Sequence, residues 1–60
     1  MIKEGMVVLF DWKGEVAIGM VTSVSGDKAV IHDAYSPKGG GPIRGRWGGL
    51  VRSLSEIKPV

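Results

Sequence analysis

GMVVLFDWKGEVAIGMVTSVSGDKAVIH, residues 5–32, is the stretch that decides the fold. Gly5 leads into Met6-Val7-Val8-Leu9-Phe10, an apolar run of strand length, and Asp11-Trp12-Lys13-Gly14 then supplies a turn with a glycine where positive φ is needed. Glu15 to Val24 reads as a second strand, interrupted by Gly19. Val21 and Val24 stand three apart rather than two, so a β-bulge is required if both face inward. Ser25-Gly26-Asp27 is a short hairpin turn, and Lys28 to His32 is a third strand. Together the three strands predict a meander.

Downstream, Pro37 to Gly45 reads as a long loop, and Trp47 to Ser53 resumes strand structure, with Gly48 and Gly49 weakening its start. Leu54-Ser55-Glu56 is too short for an α-helix and suits a single 3₁₀ turn. Ile57 to Val60 closes as a last short strand, which Pro59 confines to an edge or an end. No segment has a sustained helical apolar period, and nothing repeats. The 60 residues therefore predict a single all-β domain, 1–60. Its architecture is five short strands in a small, partly open barrel, with a glycine-rich basic loop over 38–49 and a short 3₁₀ turn before the last strand.

The order Gly5-x-x-Val8, Gly14, Gly19-x-Val21, Val24, Gly26-Asp27-Lys28, Val30-Ile31 and, after a loop, Leu54-Ser55-Glu56-Ile57-Lys58-Pro59-Val60 resembles SH3-like barrels of the KOW and Tudor kind. The resemblance spans most of the chain and departs from the common KOW pattern in the long glycine-rich loop. Its glycines and valines imply the barrel rather than one family within the fold.

A chain this short buries only roughly 60% of its unfolded surface. It has no cysteine, hence no disulfide, and His32 is its one histidine, so no ordinary zinc site is expected. A tight β core, self-association or both must supply the stability. There is neither a charged-then-apolar leader nor an apolar run approaching about 20 residues, so the expectation is a soluble, cytoplasmic protein with no membrane contact.

The net charge of +2 says little, but its distribution says more. In residues 1–33 three lysines (Lys3, Lys13, Lys28) meet five acids (Glu4, Asp11, Glu15, Asp27, Asp33), whereas residues 34–60 hold five bases against Glu56 alone. Positive potential is thus concentrated in the second part. Residues 38–52, KGGGPIRGRWGGLVR, carry Lys38, Arg44, Arg46 and Arg52 with no acid, and Trp47 between Arg46 and Gly48. Backbone that rich in glycine builds no core of its own, so it is either ordered by what it touches or carried as a loop. Cations around an aromatic ring suit a polyanion with flat bases.

Nucleic acid, DNA or RNA, is accordingly the expected partner, bound with little sequence preference. Lys38, Arg44, Arg46 and Arg52 would take phosphates, with Lys13 assisting and Trp47 stacking. A solvated loop kept soluble by its charge, or an anionic protein partner, explains the same residues. Trp12 follows Phe10 by two and shares its strand face unless the turn begins there, which makes it a core candidate. Trp47 is open between stacking and plugging the barrel; Tyr35 reads as a rim residue.

His32-Asp33 with Ser25, Ser36, Ser53 or Ser55 spells a triad only in letters, since neighbours on a strand point to opposite faces. Gly39-Gly40-Gly41 is not followed by Gly-Lys-Ser/Thr or by a helix, as a phosphate-cradling loop would be. The chain is therefore expected to be non-enzymatic, with no catalytic residues, metal, cofactor or small-molecule substrate.

In strand one Met6, Val8 and Phe10 point one way and Val7 and Leu9 the other, so both faces are apolar. One set fills the barrel; the other needs cover from the chain ends or a second copy, which predicts a homo-oligomer, most simply a homodimer. Small basic barrels also resemble archaeal chromatin proteins and accessory proteins of phages and plasmids, which implies duplex binding through the sheet or an inserted aromatic wedge. Two alternatives stand beside this reading. One is a protein-interaction or assembly module. The other is a type II dihydrofolate reductase-like oligomer, similar in length and Gly-Val pattern, whose pore-lining Val-Gln-Ile-Tyr is here Ala29-Val30-Ile31-His32.

Overall fold

The computed structural model describes residues 1–38, 42–43 and 49–60. It consists of five antiparallel strands, β1 (Val7–Trp12), β2 (Glu15–Ser25), β3 (Lys28–Tyr35), β4 (Leu50–Ser53) and β5 (Ile57–Pro59), with a 3₁₀ turn at Leu54–Glu56 between the last two. The strand order β4-β3-β2-β1-β5 curls into a half-barrel compatible with an SH3-like fold. No helix among the described residues is long and apolar enough to cross a membrane.

Each connection follows from its residues. β1 and β2 remain paired up to Trp12 opposite Glu15, so the turn is Lys13-Gly14 alone, with φ of 51° and 84°. Two successive positive φ values define a type I′ turn, whose twist matches that of the strands it joins. The bulge expected between Val21 and Val24 is present: Val21 faces Ile31, but Ser23 faces Val30. A second irregularity lies on β3, where Ile18 pairs with Tyr35 and Met20 with His32, and where Asp33 takes φ 55°. It lets Ile31 and Ala34 both point inward, and it carries β3 to Tyr35 instead of ending it at His32.

The 3₁₀ turn is held by the Ser53 N–H, which donates to the Glu56 carboxylate at 3.0 Å, and by the Leu54 N–H, which donates to the Asp27 carbonyl at 2.8 Å. β5 pairs only with β1, so Pro59 sits on an edge strand as its missing N–H requires. The expected fourth strand starts later than Trp47: β4 begins at Leu50, and Trp47 and Gly48 lie outside the described residues.

The core lines the concave side: Val8, Phe10, Ala17, Val21, Ala29, Ile31, Ala34, Leu50 and Ile57, with Ile2, Met6, Trp12, Val24, Ile43 and Leu54 packed around it. Several of these side chains are alanine, so strands approach closely. Gly19 marks the tightest point, since a Cβ there would run into Ile31 Cγ2 and Ala34. On the other side of the sheet Thr22 Oγ1 and His32 Nδ1 share a hydrogen bond of 2.6 Å.

Candidate functional site

The I′ turn and the parity of β4 together build one end of the barrel. Because Trp12 is still a strand residue, its ring follows Phe10 on the inward side and half-emerges where the core ends. On β4 Leu50 points inward, and two residues later so does Arg52, which reaches across the barrel mouth. Its guanidinium lies 5.6 Å from the centre of the Phe10 ring and 5.5 Å from that of Trp12, and Nη1 donates to the Val51 carbonyl at 2.9 Å. Lys13 Nζ lies 5.4 Å from the same Trp12 ring. Two cations thus flank one indole within cation–π range.

Asp11, Trp12, Lys13, Arg52 and Glu56 line a shallow cleft of about 250 Å³ at this end. Beside it, Gly14, Glu15, Val16, Pro37 and Lys38 line a second. Ser36, the first residue past β3, donates to Glu15 Oε2 at 3.2 Å beside that second cleft. The 34–43 excursion is closed at its base, where the Ile43 N–H donates to the Ala34 carbonyl at 2.8 Å and Tyr35 bridges to Pro42.

Of the residues expected to contact a polyanion, Lys13 and Arg52 are brought onto one ring, and Lys38 is placed beside the same turn. Arg44, Arg46 and Trp47 lie outside the described residues. No family model, curated protein or solved structure matches the chain. What the end can do is therefore argued from its own residues.

The three cations share the clefts with Asp11, Glu15 and Glu56. Among the described residues no salt bridge joins the two sets. Glu15 and Glu56 each accept a hydrogen bond from Ser36 and Ser53 respectively, so one oxygen of each is occupied within the fold, but their charges remain. The described part of the end is thus close to charge balance. Arg44 and Arg46 follow Ile43 in sequence and lie outside the described residues.

The sequence reading missed the part Trp12 plays here. The available signal was parity: Phe10 and Trp12 share a face, and so do Leu50 and Arg52. His32 engages Thr22 on the outer side, whereas Ser36 engages Glu15, so no described serine hydroxyl meets the imidazole.

Proposed function

We propose that this chain is a non-enzymatic nucleic-acid-binding protein that grips its ligand with little sequence preference at the barrel end bearing Trp12, Lys13, Lys38 and Arg52. The observation that carries the reading is the half-exposed Trp12 ring with Lys13 and Arg52 both within cation–π distance of it. On binding, the flexible Lys13 side chain swings off the ring to a phosphate and a base stacks in its place, while Arg52 meets a neighbouring phosphate. Arg44, Arg46 and Trp47 extend the contact and supply the positive excess that the carboxylates of the clefts otherwise offset. The likeness to KOW and Tudor barrels accords with this reading.

A salt titration with a short single strand and a short duplex tests it. Affinity should fall linearly with salt on logarithmic axes, and Arg52→Gln should lower the slope by about 1. Binding that is absent at low salt, or that is independent of salt, overturns the proposal.

A further inference from the structure

The Trp12 end puts acids where a simple phosphate-binding surface would have none. Asp11 and Glu56 line the Trp12 cleft together with Lys13 and Arg52, and both also line an adjoining cleft with Leu9, Val16 and Lys58. The two carboxylates therefore form a wall shared by the two clefts. Asp11 is exposed, and among the described residues no hydrogen bond or ion pair occupies its carboxylate. Glu56, also exposed, takes the Ser53 N–H on Oε1, which leaves its second oxygen to accept another bond. The ring between them is only partly open. Trp12 packs against the core, and the Lys13 Nζ and the Arg52 guanidinium lie 5.4 and 5.5 Å from its centre.

Taking this end as the nucleic-acid site proposed above, we infer that it accepts a single strand and discriminates against a duplex, with Asp11 and Glu56 making the distinction. A duplex can be gripped in two ways. An aromatic wedge inserted between base pairs must stand clear of the surface, whereas Trp12 is seated in a cleft with part of its ring against the core. Contact along the outside brings one phosphate charge for about every 1.7 Å of helix axis, in rows whose positions the double helix sets. Against this end some of those phosphates fall on Asp11 and Glu56 as well as on Lys13 and Arg52, so repulsion offsets attraction. A single strand escapes both limits. Its bases are unpaired, so one can take the place of the Lys13 ammonium over the indole without any base pair being opened. Its backbone turns freely enough to set phosphates beside Lys13 and Arg52 and away from the acids. The carboxylates then have a use, because the amino group of a splayed base donates to a carboxylate.

Titrations of the full chain at one low ionic strength test the inference, using an unstructured mixed-sequence strand of about 12 nucleotides and the blunt duplex of the same sequence. The strand should bind at least tenfold more tightly than the duplex. Asp11→Asn combined with Glu56→Gln, which keeps an acceptor for the Ser53 N–H, should tighten duplex binding severalfold and narrow that ratio. Circular dichroism of the double variant confirms that the fold is kept. In NMR spectra of the unaltered protein the indole N–H signal of Trp12, identified by difference from Trp47→Phe, should move when the strand is added. A duplex bound as tightly as the strand overturns the inference and leaves the nucleic-acid reading standing. An unmoved Trp12 signal with strand bound overturns the seating of a base on that ring, and an unchanged ratio in the double variant overturns the role of the two acids. Binding of neither probe overturns the nucleic-acid reading itself.

Discussion

Val8 and Phe10 on one side of β1 and Val7 and Leu9 on the other are comparably apolar, yet the first two are 0% and 4% exposed while Val7 keeps 45% of its surface in water. The difference lies in what faces them. On the concave side β2, β3, β4 and β5 all contribute to a core around Val8 and Ile31; on the convex side no described element crosses the sheet. Stability of the isolated chain is therefore an interior property. The convex residues Val7, Val16 and Tyr35 keep much of their apolar area in water.

Cutting into the interior should produce the largest effect. Ile31→Ala removes a side chain with no exposed surface and should cost about 2–5 kcal/mol. A domain this short holds roughly 3–9 kcal/mol in all, so the loss takes a large share of the total and should read as a much lower urea midpoint. The outer counterpart, Val7→Ala, should change monomer stability by no more than about 0.5 kcal/mol. Equal losses would erase the distinction between the faces.

Overfilling should be next in size. Gly19→Ala places a methyl where Ile31 Cγ2 and Ala34 already sit, and the adjustment should cost about 1–3 kcal/mol, read as a lower midpoint at unchanged denaturant slope. A neutral result would mean that the alanine-lined interior has room to give.

A smaller change than overfilling has the opposite sign. Lys13 holds φ 51° in the I′ turn, a conformation that asparagine before glycine adopts more readily. Lys13→Asn should raise stability by about 1 kcal/mol while lowering the salt slope of nucleic-acid binding by about 1. A variant both stabler and weaker in binding would separate the fold's interest from the site's at a single residue. Parallel movement of the two would contradict the role given to Lys13.

How far the sequence disclosed this depends on the element. The meander, the 3₁₀ turn and the edge position of Pro59 rest on local signals, namely alternation, glycine placement and a missing donor, and the strands and turn were legible from them. The β2 bulge was legible too, because two valines three apart cannot both face inward without one. The β3 irregularity was not. Asp33 is a poor strand former and reads as a strand end, and nothing local announces that pairing with Ile18 continues beyond it to Tyr35. Part of the candidate site was similarly hidden. The meeting of Lys13 and Arg52 over Trp12 joins β1 to β4 across the barrel, a distance in sequence that no spacing rule reaches. Lys38 was named for its charge, whereas its place beside Gly14 comes from the turn geometry.

The two irregularities carry a consequence for chain length. Thr22 on β2 and Asp33 on β3 are surplus to strict alternation: deleting either would leave every later side chain of its strand on the face it now occupies. Such a deletion would instead remove a local bend and part of the twist that rolls the sheet up. A shorter chain with the same inside-outside pattern would lie flatter, its rims at β4 and β5 held further apart and open to pairing with other molecules. Two extra residues thus stand between a discrete particle and a ribbon that could grow without limit.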